Sequence, residues 1–297
     1  MHSSLGDEIP QARQTLTPAQ AGISPRKRLG QNFLVDRSVP PRIADAANIG
    51  PDDHIVEVGP GLGILTEELA QRLDPSLGGR LVAIELDNNL LPVLGDRFAD
   101  RPHVSIVQGD VLEVSPRELS GGRAYKVVAN LPYYITSAVL RHFLEDIAKP
   151  ELLVVMVQRE VAERMAAAPP DMSLLAVAVQ FYGKPKIVFR VPPGAFRPAP
   201  KVDSAVVRID VHSPDENPTT VDSETHFFRT VRAGFSQKRK QLANTLSSDL
   251  HLPKAEVTAC LWSVDIDPTR RAETLSLADW ARLDHVLSFQ VEGPTAN

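Results

Sequence analysis

Apolar residues fall in short blocks along most of this chain, and the blocks alternate between two spacings. Residues 38–48 mix Ile43, Ala44, Ala46 and Ala47 with polar positions at helical spacing. His54-Ile55-Val56-Glu57-Val58 is a β-rich run closed by glycines, and Leu62, Leu65, Leu69 and Leu73 then mark a helix. The alternation continues with a strand over 80–85, a helix over 90–98, a strand over 104–107 and a strand over 126–129. A helix over 137–146, a strand over 152–157 and a helix through Met165 follow. Strands separated by helices predict a parallel sheet covered on both faces. Beyond residue 173 the pattern changes. A helix is expected over 173–182, then strands over 186–190 and 204–211, joined by a Pro-rich loop from Val191 to Pro200. Residues 213–220 read as a linker. Only helical patterns come after it, over 223–234, 238–249, 253–262 and 276–288. Trp262 and Trp280 are expected to pack that helical part, and Cys260 to be a small core residue rather than a nucleophile. The predicted organisation is a tail over 1–24, an α/β domain over 25–212, an all-helical domain over 213–290 and a short tail over 291–297.

Composition adds limits. The chain has 297 residues, 43% hydrophobic and 23% charged, which suits a packed globular protein. Its longest strongly apolar run, Leu152 to Val157, is too short to span a membrane, and residues 1–24 lack the pattern of a secretion signal. A single cysteine excludes an intrachain disulfide and fits a reducing cytoplasm. The eight histidines have no metal-ligand spacing, so no metal site is expected. Net charge is −5, which argues mildly against a nucleic-acid partner. The distribution reopens the question. Arg26-Lys27-Arg28 and Lys238-Arg239-Lys240 are basic triplets. Residues 184–208, which include Arg197 and Lys201, carry a local balance of +5. Each cluster alone could be a solvated face. Together they can form a local anionic-ligand surface on an acidic protein.

Candidate chemistry gathers at predicted strand ends. Gly59-Pro60-Gly61-Leu62-Gly63 joins the first strand to its helix, where glycine permits a tight turn and close ligand approach. The spacing departs from the dinucleotide fingerprint, because Ile64 stands where the last glycine would be. Glu85 ends the second strand, placed to accept from two ribose hydroxyls, and Asp110 ends the third, placed to meet an adenine amino group. Adenine, ribose and no phosphate cradle together describe S-adenosylmethionine.

The fourth strand runs into Asn130-Leu131-Pro132-Tyr133-Tyr134. Asn130 Oδ1 and the Leu131 carbonyl can accept both protons of an exocyclic amine. Tyr133 can stack on the ring, and Pro132 fixes the angle between the two devices. This is a clamp for adenine N6, and beside a methyl donor it points to N6 methylation. Tyr134 fits either a core role or a pocket wall.

These segments occur in one order with Arg28-Leu29-Gly30-Gln31-Asn32-Phe33-Leu34, Pro198-Ala199-Pro200-Lys201-Val202-Asp203-Ser204-Ala205-Val206, Phe235-Ser236-Gln237-Lys238-Arg239-Lys240 and Arg271-Ala272-Glu273-Thr274-Leu275-Ser276. The whole, over roughly 25–288, closely resembles the ribosomal RNA adenine dimethyltransferase family, and within it the housekeeping branch. The resemblance implies a class I methyltransferase fold, Rossmann-like, with a small helical domain. It implies dimethylation of two adjacent adenosines near the 3′ end of small-subunit ribosomal RNA, in a pre-ribosomal particle, by a cytoplasmic monomer. It implies donor contacts at Asn32, Leu34, Gly59, Glu85, Asp110 and Asn130, with Gly61 and Gly63 in the same loop. Phe196 is implied as the cover of the target's second face. Arg26, Lys27, Arg28, Arg197, Lys201, Lys238, Arg239 and Lys240 become the candidate phosphate contacts. At 171–176 the family often has Tyr-Gly before Leu-Ser-Val, where this chain has Asp171-Met172-Ser173-Leu174-Leu175-Ala176. The rival readings are a large-subunit RNA methyltransferase of the resistance type, a DNA adenine methyltransferase, and a binding factor for ribosome assembly or transcription on the same fold. A nicotinamide-dependent oxidoreductase is more distant.

Overall fold

The computed structural model describes residues 17–213 and 219–291, without the side chains of Lys27 and 289–291. Most of the tail expected over 1–24, most of the linker expected over 213–220 and all but the first residue of the tail expected over 291–297 lie outside the described residues. Residues 17–22 form a closed turn in which Ile23 N donates to Pro18 O at 2.8 Å, and Ala21 and Ile23 pack on a core cluster around Phe33, Leu62 and Phe98.

The central sheet contains β2 (His54–Val58), β3 (Arg80–Glu85), β4 (Val104–Gln108), β5 (Lys126–Asn130), β6 (Leu152–Gln158), β7 (Gly183–Val191) and β9 (Ser204–Val211). Their order is β4-β3-β2-β5-β6-β9-β7. The five strands from β4 to β6 are parallel, while β9 runs antiparallel to both β6 and β7. A separate two-strand ladder pairs β1 (Phe33–Leu34) with β8 (Phe196–Arg197). The helices between strands are α1 (Val39–Ala46), α2 (Ile64–Arg72), α3 (Leu91–Phe98), α4 (Pro116–Ser120), α5 (Thr136–Leu144), α6 (Arg159–Met165) and α7 (Leu174–Tyr182).

Both sheet faces are covered, so central strands are apolar throughout rather than alternating. In β6 Leu153, Val155 and Val157 pack one face, with α5 and α7, and Leu152, Val154 and Met156 pack the other, with α1 and α2. The edge strand β7 alternates exposed and half-buried positions between its buried ends, and an edge tolerates Pro185. It begins at Gly183, three residues before the expected start. A Cβ there would stand 2.7 Å from Asp210 O, so glycine lets the strand close on β9.

The C-terminal helices are α8 (Glu224–Phe235), α9 (Leu242–Leu250), α10 (Lys254–Ser263) and α11 (Leu277–Val291). One hydrophobic cluster runs without a break from β5 and β6 through α7 into α8 and α11. Phe181 stacks on Phe227 at 4.9 Å, and Tyr182 donates to Glu224 Oε2 at 2.8 Å. Met172 N donates to Glu273 O at 3.0 Å, and Ser173 caps α7 through Ala176 N. The stretch 171–176, where the sequence departs from the family, is thus built into this junction. Two expectations for the helical part are corrected. Trp280 is fully buried against Gly234, where a Cβ would overlap its ring, but Trp262 is exposed. The helix expected from 238 starts at Leu242. Lys238-Arg239-Lys240 form the turn before it, where Lys240 N bonds Gln237 O at 3.0 Å and the side chains are exposed.

Candidate functional site

Strand order reverses between β2 and β5: the chain leaves β2 toward β3 and β4, then returns to β5 on the other side. Open α/β sheets leave a crevice at the carboxyl ends of the strands at such a switch point. Here it is an open cleft with about 1040 Å³ of empty space, the solvent at its mouth included. Asn32, Leu34, Gly59, Gly61, Glu85, Asp110, Asn130, Leu131, Pro132, Tyr133 and Phe196 all line it.

The turn after β2 carries Gly59, Gly61 and Gly63, all with positive φ. A Cβ on Gly59 would meet no atom within 4 Å, so this backbone borders open space. Gly63 differs from the expectation. It is absent from the cleft wall, and a Cβ there would come within 2.9 Å of the Phe98 ring. Gly63 therefore allows α2 and α3 to pack closely under the loop rather than admitting a ligand.

Three carboxyls meet at this end of the sheet. Glu85 is buried and accepts from Gly61 N at 3.2 Å and Asp87 N at 2.8 Å. Burial raises its pKa, and the backbone donors counteract part of that. Asp110 is half-buried and accepts from Leu112 N at 3.0 Å, so it closes a turn and lines the cleft at once. Glu57 is the third. It is 1% exposed, lines the cleft, and its Oε2 has no hydrogen-bond partner. Burial pushes its pKa up to about 8, and the nearby Glu85 charge adds to the rise. The Thr66 hydroxyl lowers it by proximity, yet Thr66 Oγ1 also stands without a partner in hydrogen-bond geometry. The raised pKa therefore favours a neutral carboxyl below the glycine turn at neutral pH. Sequence reasoning left Glu57 aside. A lone carboxyl in an otherwise apolar buried strand was the available signal.

The N-terminal segment crosses the cleft. Arg26 forms an ion pair with buried Asp87 at 2.9 Å, and Gln31 Nε2 donates to the same carboxyl at 2.8 Å. Arg26 N donates to Gln31 Oε1 at 2.8 Å, and Asn32 Nδ2 to Gly30 O at 3.1 Å. Arg26 is thus a strap to the β3 end, with a third of its side chain still exposed. Among the described side chains, the other candidate cations lie outside the cleft wall. Arg28, Lys201, Lys238, Arg239 and Lys240 are exposed, and Arg197 is exposed while donating to Gly194 O and Phe196 O.

At β5 the chain leaves the sheet with Asn130 half-buried, and Leu131 N is held by Met156 O at 3.1 Å. The Pro132 carbonyl is taken by Ile135 N and Thr136 Oγ1. The Leu131 carbonyl, by contrast, accepts no bond among the described residues. Tyr133 is half-buried, with its hydroxyl 2.9 Å from Ser204 Oγ. Phe196 is 1% exposed and anchors the loop in the core beside Val191 and Ala195. Its ring reaches the cleft only as part of the wall, so it is chiefly a core residue and not an open second face. Tyr134 is 58% exposed at the cleft and packs over Gly30, where a Cβ would lie 3.3 Å from its ring.

A switch-point cleft with a glycine turn, carboxyls at successive strand ends and an Asn-Leu-Pro-Tyr turn defines a class I methyltransferase. Comparison with known proteins specifies which kind. The chain belongs to the ribosomal RNA adenine dimethylase family, whose model matches residues 22–288. It is 49% identical over 259 residues to the ribosomal RNA small subunit methyltransferase A of Dehalococcoides mccartyi, covering 87% of each chain. It is 46% identical over 273 residues to the same-named protein of Geobacter metallireducens, covering 90% of this chain and 96% of the relative. Among solved structures it resembles the 23S rRNA methyltransferase ErmE, with a TM-score of 0.68 and 27% identity over 87% of this chain and all of that one. A dimethyladenosine transferase from Plasmodium falciparum shares the fold, with a TM-score of 0.72 and 24% identity over 84% of this chain and 95% of that one.

Proposed function

We propose that this protein dimethylates N6 of two adjacent adenosines near the 3′ end of small-subunit ribosomal RNA, within a pre-ribosomal particle in the cytoplasm. The observation that carries the reading is the pair of acceptors at the end of β5, Asn130 Oδ1 and the Leu131 carbonyl, beside the glycine turn and Glu85. Much higher identity to small-subunit than to large-subunit relatives disfavours the resistance-type alternative. Among the described residues no helix is long and apolar enough to cross a membrane.

S-adenosylmethionine fits the residues present. Glu85 keeps lone pairs for two ribose hydroxyls beyond the two amides it accepts, and Asp110 borders the same cleft. Glu57 offers a buried oxygen without a partner to the cationic end of such a ligand. When bound, the donor supplies a sulfonium methyl whose C–S bond breaks, its electron pair going to sulfur, as the N6–C bond forms and N6 sheds a proton to solvent.

The protein's own part is alignment and electrostatics. The target adenine must leave its stack to enter the cleft. Asn130 and Leu131 hold N6 through its protons, which draws the nitrogen lone pair out of conjugation and toward the donor. Their carbonyl dipoles face the positive charge that develops on nitrogen. Tyr133 covers one face of the ring. Arg28, Lys201 and the turn at Lys238-Arg239-Lys240 meet phosphates of the folded RNA. Loss of one preorganised hydrogen bond raises a barrier by about 3–4 kcal/mol. Asn130→Ala should therefore lower kcat by about two to three orders of magnitude and leave RNA affinity largely unchanged. Retention of more than about a tenth of the wild-type kcat would remove Asn130 from this role.

A further inference from the structure

The carboxyl edge of the parallel strands receives one residue from a strand running the other way. Because β9 is antiparallel, its first residue, Ser204, arrives at this edge opposite Gln158, the last residue of β6. Ser204 is fully buried, and its hydroxyl lies 2.9 Å from that of Tyr133, which reaches it from the turn after β5 across the end of β6. The residue before it is held as well, since Arg159 N donates to Asp203 O at 2.9 Å. Tyr133 is thus gripped at both ends: by the backbone turn at Pro132, and by a hydroxyl fixed in the sheet.

The two transfers to one nitrogen make different demands on that face. An unmodified N6 carries two protons, one for each acceptor of the clamp. A monomethylated N6 carries one, so a single edge contact remains. The face contact must then carry a larger share of the alignment. We propose that Ser204 is a positioning residue which, by fixing the tilt of Tyr133, chiefly serves the second methyl transfer. This rests on the clamp reading of Asn130 and Leu131.

The test follows mono- and dimethyladenosine over time, with the full-length protein in excess, saturating donor and unmethylated small subunits. Wild type, Ser204→Ala, Tyr133→Phe and the double variant are compared, with Tm and donor affinity measured in parallel. Each single variant should slow the second transfer about fivefold more than the first, equivalent to about 1 kcal/mol. The double variant should be no worse than the more affected single one, because both remove the same bond. Tyr133→Phe removes only the hydroxyl of a half-buried side chain and decides the matter if Ser204→Ala does not fold. Equal slowing of both transfers, or additive effects in the double variant, would overturn the role of Ser204. The clamp reading fails separately, if Asn130→Ala performs both transfers at more than about a tenth of the wild-type rate.

Discussion

Replacing Glu57 by glutamine removes one titrating group from a buried site while keeping its shape. In the folded protein the carboxyl's pKa is pushed up to about 8, against an ordinary value of 4.5. The folded state therefore keeps a proton that the unfolded chain releases between those values. Glu57's favourable contribution is complete below pH 4.5, declines as pH rises, and is fully lost above about pH 8. Each pH unit in that window corresponds to about 1.4 kcal/mol, so the span from pH 5.5 to 7.5 corresponds to at most about 3 kcal/mol, which relaxation around the charge reduces. Other groups titrate over the same range, so the quantity to follow is the difference between wild type and Glu57→Gln. By urea unfolding without donor, wild type should lose about 2–3 kcal/mol relative to the variant from pH 5.5 to 7.5. In melting temperature this is roughly 3–5 °C for a chain of this size. A cationic donor favours the ionised carboxyl, so donor-induced stabilisation of the wild type should grow with pH and that of Glu57→Gln should not. Parallel pH profiles for the two proteins would refute the buried neutral carboxyl.

Three further outcomes follow from particular contacts. Replacing Lys238, Arg239 and Lys240 together by glutamine should flatten the salt dependence of RNA binding, by about 0.7–0.9 in the log–log slope for each phosphate no longer neutralised; an unchanged slope in filter binding would take these residues off the RNA. Arg26→Ala should lower Tm and leave that slope unchanged, because Arg26 is engaged with buried Asp87; a slope reduced as by the triple variant would contradict the strap. Gly63→Ala should cost about 1–3 kcal/mol in denaturant unfolding, from a positive φ and a close approach to Phe98. Gly194→Ala, where a Cβ meets nothing, should be nearly neutral, and equal effects at both sites would undo the packing argument.

What could be read from sequence followed the range of the physics involved. The five parallel strands were legible because burial on both faces leaves continuous apolar runs such as Leu152 to Val157. That most candidate donor and clamp residues would share one cleft was legible because strand ends at a switch point converge there. Contacts between distant segments were not. Nothing local marks Arg26 as the partner of Asp87, or Ser204 as the partner of Tyr133. The β1–β8 ladder has two residues per strand, too few for any periodicity. Lys238-Arg239-Lys240 looked like the start of a helix because lysine and arginine are good helix formers, but the chain turns there before α9 begins. Trp262 carried a hydrophobic expectation, yet α10 turns it to solvent while Trp280 fills the core.

The central claim is best tested by mapping the product. Small subunits lacking the modification are incubated with the full-length protein and labelled donor, and the RNA is digested and sequenced by mass spectrometry. The account predicts N6,N6-dimethyladenosine at two neighbouring positions near the 3′ end of the small-subunit RNA, and, over the same incubation time, at least about tenfold less when Asn130→Ala replaces the wild type. Label in large-subunit RNA or DNA instead, or label undiminished in the variant, would contradict it.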